Sequence, residues 1–129
     1  MKDIRVKRVY EAAERSDGLR VLVDRVWPRG MTKEQVQADV WLKDIAPSTS
    51  LRTWFGHDAS RWEEFKRRYF DELDRRPEAV AKLMKAAGTR RLTLLFSAKD
   101  VEHNQAVALR EYLLSRFGRR SGGRRKPSR

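Results

Sequence analysis

The sequence predicts an α/β fold, a single compact domain in which a small, mostly parallel (mixed) sheet is covered by helices. Three short runs rich in branched and aromatic apolar residues predict strands, at 4–9, 19–23 and 92–96. Segments with helical apolar spacing fill most of the remaining chain. The second and third strands are separated by well over sixty residues, which is long enough for the crossover that joins parallel neighbours.

The first two strands are predicted from an alternation and from a turn. In residues 4–9, Ile4 and Val6 alternate with charged residues, which is typical of a half-exposed strand. The run 19–23 follows Ser16-Asp17-Gly18, a strong turn signal, and its apolar character predicts burial. Because about nine residues connect the two strands, too few for a helical crossover, we expect an antiparallel pair or strands that are not neighbours.

Two capping boxes predict the first two helices. Thr32 with Gln35 opens a helix expected to carry Val36, Val40 and Trp41 on one side. Ser60 with Glu63 opens the next helix. Its predicted buried stripe consists of Trp62, Phe65, Tyr69 and Leu73.

The last two helices are predicted from their ends. Pro77 suits a first helical position and Gly88 suits the position after the last turn, which predicts a helix over 77–87. Asn104 is a fair N-cap for the final helix, which Gly118 ends. The expected stripe of that helix is Ala106, Leu109, Leu113 and Phe117.

Composition narrows the classes of function. The 129 residues include 30 Lys and Arg against 18 Asp and Glu, a net charge of +12 that favours anionic small molecules or polyanions as partners. Residues 119–129 hold six of the basic residues with no acidic one, so we predict a disordered basic tail after a domain spanning 1–118. The absence of cysteine excludes disulfides, thiolate metal sites and cysteine nucleophiles. The sequence contains no apolar run long enough to span a membrane and no apolar stretch typical of a secretory signal. We therefore expect a cytoplasmic location.

A functional site is predicted where the second and third strands end. If these strands are parallel, their carboxyl ends open on one edge of the sheet, where open α/β folds bind ligands. The segments that leave them, 24–30 and 97–104, are the most polar non-helical stretches of the domain. Polar side chains directly after a buried run need partners or a ligand.

Three residues of these segments are candidate catalytic groups. Asp24 follows a buried strand and would act as a base or orient a cation, or it would fix the loop through a salt bridge. Lys99 would bind an anion or, if desolvated, take part in chemistry, and an ordinary solvated lysine is the alternative. His103 would be a general acid or base near Asp24, or a histidine bonded to the backbone.

Five residues are candidate ligand contacts. Arg25 and Arg29 carry planar guanidinium groups that hold phosphate or carboxylate in two-point geometry, unless they lie over a tryptophan face. Arg52 is a further anion candidate. Ser97 offers a hydroxyl to a ligand or to its own loop, and Asn104 would combine its capping role with ligand contact.

His57 is not among the candidate site residues. It lies among aromatic residues, which favours core packing at a turn over ligand contact.

Other patterns point away from metals and cofactors. Two histidines and scattered carboxylates lack metal-ligand spacing, and glycine-rich phosphate loops and a nucleophile elbow are absent from the sequence. We therefore predict no metal and no cofactor.

Several of the same segments carry a resemblance to a known family. The stretches 22–30, 41–48, 51–55 and 94–100, together with His103-Asn104 and Ala106, resemble the short YeaO-like branch of the domain-of-unknown-function 488 family over roughly residues 2–116. The resemblance implies a compact bacterial or archaeal α/β protein without a settled activity.

The resemblance also bears on the site. It implies that Asp24, Arg25, Arg29, Lys99 and His103 share one site. Longer members of the family carry a Cys-His-Arg element after the strand that corresponds to 92–96. This chain has Glu102-His103-Asn104 at that place, so no thiol chemistry is implied.

Three hypotheses of function follow. The first is an anion-binding cleft at the ends of the second and third strands, acting on a nucleotide or phosphorylated metabolite if the protein is an enzyme, which the sequence leaves open. The second is nucleic-acid binding by the basic body and tail, without a recognisable reading element. The third is a protein-interaction role in which Trp27 and Trp54 are exposed anchors. Oligomeric state is not predicted.

Overall fold

A computed structural model describes residues 3–117 as a sheet with helices packed against it. The strands are β1 Ile4–Arg8, β2 Leu19–Leu22, β3 Val40–Trp41 and β4 Leu92–Phe96. The helices are α1 Lys33–Val36, α2 Thr49–Phe55, α3 Trp62–Asp74, α4 Pro77–Ala87 and α5 Gln105–Phe117. Short 3₁₀ turns occur at Arg15–Asp17, Lys43–Ile45 and Ala59–Arg61. The basic tail predicted at 119–129 lies outside the described residues.

The predicted α/β class is confirmed. The strand order is β1-β4-β2-β3, and all three pairs are parallel. The expected parallel pairing of 19–23 with 92–96 is present, with Val21 opposite Leu94. Of the two alternatives for the first two strands, the antiparallel pair is wrong, because β4 lies between them.

The connection between β1 and β2 is a short crossover without an α-helix. Residues 9–18 run back along strands of only five and four residues. Ten residues can span about 33 Å when extended, which exceeds the length of such strands at about 3.3 Å per residue. The expectation that a parallel return needs a dozen residues therefore fails for a sheet this short.

The helix that begins at Thr32 is much shorter than predicted. Its capping box is present, with the Gln35 amide donating to Thr32 Oγ1 at 3.1 Å. The helix ends at Val36 because Gln37 adopts a left-handed backbone with φ of +50°. Val40 and Trp41 then form β3 beside β2, so their predicted place on a helix face is wrong. Pairing with β2 satisfies backbone groups that would otherwise be left at the open edge of that strand.

The long helices follow the sequence signals closely. All four residues of the predicted α3 stripe are buried. The start of α3 differs, because the predicted cap by Ser60 is absent and Arg61 holds the N-cap position without a side-chain hydrogen bond. Asp58 caps the preceding 3₁₀ turn by accepting from the Ser60 amide at 3.0 Å. Helix α4 has the predicted bounds. Helix α5 is capped by Asn104, whose Oδ1 accepts from the Val107 amide at 3.0 Å. Phe117, expected in the α5 stripe, is exposed.

The two faces of the sheet carry cores of different size. The main core lies between one face and helices α2 to α5, and includes Val21, Leu94, Phe65, Tyr69 and Leu109. The opposite face is covered by the segment after β2, which packs a smaller cluster of Val9, Leu22, Val36 and Leu95 with partly buried Trp27 and Trp41. Between residues 3 and 117, no helix is long and apolar enough to cross a membrane. The carboxyl ends of β2 and β4 are thus held by packing on both faces.

Candidate functional site

A cleft of about 630 Å³ opens at the carboxyl ends of β2 and β4. Its walls are residues 24–29 after β2, residues 97–100 after β4, and the turn at 46–47 that precedes α2. Arg52, His57 and Gln105 complete it from the helical side. The two segments that the sequence singles out therefore line one cavity.

Asp24 joins three elements at the base of this cleft. Its side chain is buried, and Oδ2 accepts from the Ser97 amide at 3.1 Å and the Ser97 hydroxyl at 2.6 Å. Oδ1 accepts from the side-chain amide of Gln105 at the start of α5. Burial raises the pKa of the Asp24 carboxyl above its usual range, although the hydrogen bonds from Ser97 and Gln105 and the charge of Arg52 act against that rise. Neutral donors thus occupy both oxygens, and Asp24 positions the ends of β2, β4 and α5.

Three cations around the cleft have no side-chain partner. Arg29, Arg52 and Lys99 are exposed residues from three separate segments. Within residues 3–117, none of their charged groups takes part in a hydrogen bond or a salt bridge. Arg52 interacts with Asp24 through its charge alone. The cleft therefore presents positive charge that the folded chain leaves uncompensated.

Arg25 differs from these three cations. Its guanidinium donates from Nε to the Pro47 carbonyl at 3.1 Å and from Nη2 to the Ala46 carbonyl at 3.2 Å. Arg76 donates from Nη1 to the same Ala46 carbonyl at 2.8 Å. Arg25 thus lies in the cleft wall as predicted, but its donors brace the turn that precedes α2.

Arg52 is held in place through the start of α2. Ser48 caps the helix by accepting from the Leu51 amide at 3.2 Å. Glu72 of α3 accepts from the Ser48 amide at 2.8 Å and from its hydroxyl at 2.5 Å. This anchoring fixes the helix that presents Arg52, while the guanidinium itself stays exposed.

Residues at the end of β1 support both loops of the cleft. Arg8 donates from Nε to the Ala98 carbonyl at 2.9 Å and from Nη2 to the Ser97 carbonyl at 3.4 Å. Its guanidinium also lies over the Tyr10 ring, 4.6 Å from the centroid. The Tyr10 hydroxyl donates to the Arg29 carbonyl at 3.3 Å. The first strand therefore sets the spacing of the loops that carry Arg29 and Lys99.

The end of the loop after β4 is organised by Asp100. Its Oδ1 accepts from the amides of Glu102 at 2.9 Å and His103 at 3.0 Å, and Oδ2 lies 2.9 Å from His103 Nδ1. The hydrogen bond from the Glu102 amide, followed by the contact with the His103 ring, lowers the pKa of the Asp100 carboxyl. Asn104 donates from Nδ2 to the Asp100 carbonyl at 2.9 Å. This loop is therefore closed by its own side chains.

His103 and Asn104 lie beside the cleft rather than in it. Both line an adjoining hollow of about 200 Å³, which shares Arg52, His57 and Gln105 with the cleft. The His103 ring packs edge-on against Trp62, with centroids 5.3 Å apart. The His103 partner is Asp100, so the structure does not bring His103 and Asp24 into contact.

Sequence reasoning missed two residues of the site. Gln105 opens α5 as one more polar helix residue, and nothing in its local sequence marks it as a partner of Asp24. His57 was expected in the core, but its side chain is exposed and lines the cleft. Its position after Gly56, at the end of a short helix, is a signal for an exposed turn that the aromatic neighbours obscured.

Two tryptophans considered as exposed anchors are half-buried. Trp27 packs edge-on against Trp41, with centroids 5.3 Å apart. Trp54 lies between the guanidinium groups of Arg61 and Arg68, at 5.2 Å and 4.3 Å from its ring centroid. Trp27 nevertheless lines the cleft.

The residues of the cleft do not resemble a protein metal centre. The described part of the chain contains no group of three or more His, Asp or Glu side chains that could hold a metal ion. Uncompensated cations beside polar and apolar walls are typical of sites for phosphate or carboxylate groups.

Comparison with known proteins places the chain in an uncharacterised group. The model of a family described as the inactive DUF488-N3 subclade matches residues 3–129. The chain is 42% identical over 113 residues to the uncharacterized protein YeaO of Escherichia coli strain K12, covering 88% of this chain and 98% of that protein. It is 41% identical over 113 residues to the uncharacterized proteins Mb3100c of Mycobacterium bovis and Rv3073c of Mycobacterium tuberculosis, covering 88% of this chain and 95% of each. No solved structure matches it.

Proposed function

The chain belongs to the inactive DUF488-N3 subclade, and from this premise we propose that it is a binding protein for a small anionic organic molecule. The family resemblance predicted from the sequence is thereby confirmed. In this proposal Arg29, Arg52 and Lys99 hold a phosphate or carboxylate group in the cleft. Asp24 positions the loops and is not itself a ligand contact.

The observation that carries the proposal is the uncompensated charge of the cleft. Some cations elsewhere on the surface pair with carboxylates, as when Arg67 and Arg68 both donate to Glu64 at 2.5 Å and 2.7 Å. Single unpaired cations are common on protein surfaces. Three from separate segments around one concavity are the arrangement that anion recognition requires, because guanidinium and ammonium groups supply several convergent donors.

The size and walls of the cleft favour an organic molecule over a bare inorganic ion. Ligand pockets commonly measure about 300–1,000 Å³, and the cleft falls in that range at about 630 Å³. Its apolar lining is Val26, Trp27, Pro28, Ala46, Pro47 and Ala98. Val26 is 61% exposed, which leaves its side chain available for contact. A nucleotide or another phosphorylated metabolite matches these walls and charges.

A role in binding without turnover has two supports. The subclade is described as inactive, and the Asp24 carboxylate is occupied by Ser97 and Gln105. The catalytic roles predicted for Asp24, Lys99 and His103 stay predictions, and the ligand contacts of Ser97 and Asn104 do as well.

The test is a thermal-shift and calorimetric screen of the full chain against nucleotides, sugar phosphates and dicarboxylates. A ligand at a hundred times its Kd should stabilise the protein by about 2.7 kcal/mol. We expect the combined substitution Arg29→Ala, Arg52→Ala and Lys99→Ala to weaken binding of any hit at least tenfold, to a first approximation about 1.4 kcal/mol.

The control removes the same charges elsewhere. Arg75, Lys85 and Arg90 are exposed, and within residues 3–117 their side chains have no hydrogen-bond or salt-bridge partner. Replacing these three with alanine should leave binding of the hit unchanged. The proposal fails if no compound stabilises the protein, or if the control variant loses as much affinity as the cleft variant.

The net charge favours a second candidate, nucleic-acid binding. The chain carries +12, and six basic residues lie in 119–129, outside the described structure. Affinity of this kind is sequence-independent and falls steeply with salt. We propose to measure anisotropy of labelled DNA and RNA with the full chain, with its six tail cations changed to serine, and with the cleft variant. Loss with the tail variant alone would assign nucleic-acid affinity to the tail.

A further inference from the structure

His57 has a left-handed backbone conformation, which is uncommon for a residue other than glycine. Two non-glycine residues among 3–117 have positive φ, Gln37 at +50° and His57 at +59°. Gln37 ends α1, where a left-handed residue is a common helix terminus. Helix α2 already ends at Gly56, which has φ of +54° and donates its amide to the Arg52 carbonyl at 3.0 Å. His57 is therefore a second left-handed residue in succession.

The two residues form the centre of a tight turn. The Asp58 amide donates to the Phe55 carbonyl at 2.9 Å, and both central residues, Gly56 and His57, have positive φ. This is the geometry of a type I′ turn, which favours glycine and asparagine at its centre. A residue with a bulky side chain is strained there, and His57 occupies the position that glycine would take without strain.

The side chain of His57 gains little from the protein in return. It is exposed, and in the described structure it makes no hydrogen bond or salt bridge. Its nearest ring is Phe55, with centroids 6.4 Å apart and planes tilted by 51°. The imidazole nevertheless lines both the cleft and the adjoining hollow, one turn from Arg52. Backbone strain at a residue whose side chain makes no hydrogen bond or salt bridge and lines a cleft is typical of a functional position.

The cleft and the hollow that His57 lines carry more cations than carboxylates. The cations are Arg52 of α2, Arg25 and Arg29 after β2, and Lys99 after β4. The carboxylates are Asp24, which is held by Ser97 and Gln105, and Asp100, which is held by His103. His103 itself lines the hollow. Cations thus outnumber carboxylates among the residues that line the cleft, and a bound anion would offset that excess of positive charge.

We infer that His57 is a fourth, titratable contact for the anion, and that anion binding draws a proton from solvent onto its imidazole. The inference rests on the proposed function. It specifies the ligand as an oxyanion with several acceptor oxygens, shared among His57, Arg52 and the other cleft cations. Because the protonated imidazole adds a donor and a positive charge, affinity rises as pH falls through the histidine titration, which lies between about pH 5 and 8.

The experiment is an NMR titration of the full chain with sulfate. The chain has two histidines, so one Cε1–H signal from each reports on the cleft and on an internal reference, His103. Sulfate keeps its charge over this pH range, so any pH dependence of its binding comes from the protein. We expect sulfate to raise the titration midpoint of His57, with a much smaller effect on His103, and to bind about tenfold more tightly near pH 6 than near pH 8.

Two substitutions separate the side chain from the strain. His57→Asn keeps a residue that tolerates positive φ and should abolish the pH dependence of sulfate affinity. His57→Gly should raise the free energy of unfolding and weaken sulfate binding near pH 6. Gln37→Gly is the matched control, since it relieves strain of the same kind at the end of α1 and should leave sulfate affinity unchanged.

The outcomes distinguish this inference from the proposed function. If sulfate shifts the amide signals of Arg29, Arg52 and Lys99 but leaves the His57 midpoint unchanged, the inference is overturned while the cleft remains an anion site. If sulfate shifts none of these signals at any pH, both proposals fail for oxyanions. Retention of the full pH dependence in His57→Asn would also overturn the inference.

Discussion

Asp17 and Asp24 lie at opposite ends of β2 and are almost equally buried, at 6% and 7% exposed, but they have partners of different charge. At the amino end, Asp17 accepts from the guanidinium of Arg20 and from Lys7 Nζ at 3.1 Å. At the carboxyl end, Asp24 accepts only from the neutral groups of Ser97 and Gln105. Asp17 is thus paired with cations, whereas Asp24 makes no hydrogen bond or salt bridge to the cations that line the same cleft.

The network at the amino end satisfies its members from within the chain. Arg20 also donates from Nε to the Gln37 carbonyl at 2.9 Å and from Nη2 to the Val36 carbonyl at 2.7 Å. The Thr93 hydroxyl donates to the Asp17 carbonyl at 2.6 Å. Buried charges with complete partners serve structure. The cations at the carboxyl end have no such partners in the described structure, which is the difference between the two ends of β2 on which the proposed anion site rests.

The pKa values of the two carboxyl groups are also shifted in opposite directions. Burial alone would raise the pKa of Asp17, but the Glu14 amide, Lys7 and Arg20 together lower it below the usual range. Burial raises the pKa of Asp24, because the donors around it are neutral and only partly offset the loss of water. The pKa is thus lowered where the carboxylate is paired with cations and raised where its donors are neutral.

The largest expected loss of stability comes from breaking the hydrogen-bond network of Asp17 at the amino end of β2. Asp17→Ala leaves Arg20 buried without its carboxylate, and should lower the free energy of unfolding by about 3–5 kcal/mol. Urea unfolding followed by circular dichroism measures this loss. Asp71→Ala, at an exposed carboxylate on α3, is the control and should change stability by less than about 0.5 kcal/mol. A loss below about 1 kcal/mol for Asp17→Ala would contradict the structural role of the pair.

Removing the Asp24 carboxylate at the carboxyl end of β2 should lower the free energy of unfolding by less. Asp24→Ala leaves the amide and hydroxyl of Ser97 and the amide of Gln105 without their acceptor, but it strands no buried cation. We expect a loss of about 1–3 kcal/mol in the free energy of unfolding, measured by the same urea titration. A loss equal to that of Asp17→Ala would show that the partners' charge does not separate the two ends of β2.

The pH dependence of stability should differ in sign between the two sites. Because the folded-state pKa of Asp17 is lowered, its stabilisation is present above the unfolded pKa and is lost as pH falls through the folded value. Because the folded-state pKa of Asp24 is raised, its ionisation costs stability as pH rises from the ordinary carboxyl range through the raised value.

Asparagine variants measure each contribution separately. Relative to Asp17→Asn, the wild-type protein should gain stability as pH rises through the acidic range. Relative to Asp24→Asn, it should lose stability as pH rises. Denaturant titrations at several pH values give both differences, and slopes of the same sign would contradict the comparison.

The smallest expected change in stability comes from a cation of the cleft. Arg52→Ala removes an exposed guanidinium without hydrogen-bond partners in the described structure, so the free energy of unfolding should change by no more than about 0.5 kcal/mol. The same variant should weaken binding of any anion found in the screen. Thermal unfolding and calorimetry on one preparation test both statements. A large loss of stability would show that Arg52 stabilises the fold, contrary to this prediction.

Much of the fold could be predicted because its signals are local. Helix α4 begins at Pro77 and precedes Gly88 as the sequence indicates, and the Asn104 cap opens α5. The prediction failed for residues 40–41, where a pattern compatible with a helix face forms a strand because β2 offers an unpaired edge. That edge belongs to a segment some twenty residues earlier in the chain, and a helical pattern carries no information about it.

The candidate site could be predicted in position but not in detail. The carboxyl edge of the sheet follows from the parallel pairing of β2 and β4. Arg25 and Arg29 look equivalent in the sequence, on either side of Trp27-Pro28. The structure commits Arg25 to the carbonyls of residues 46 and 47 and leaves the guanidinium of Arg29 exposed.

The sequence by itself determined the α/β class, the family, most helix and strand bounds, and the edge of the sheet where polar residues collect. Tertiary structure alone decided that β4 lies between β1 and β2, that Asp24 pairs with Gln105, and that His57 faces the cleft. The physical reason is the range of the interactions. Caps, turns and apolar periodicity act between residues within a few positions of one another, whereas the pairing of a charge depends on which distant segments the packed sheet brings together.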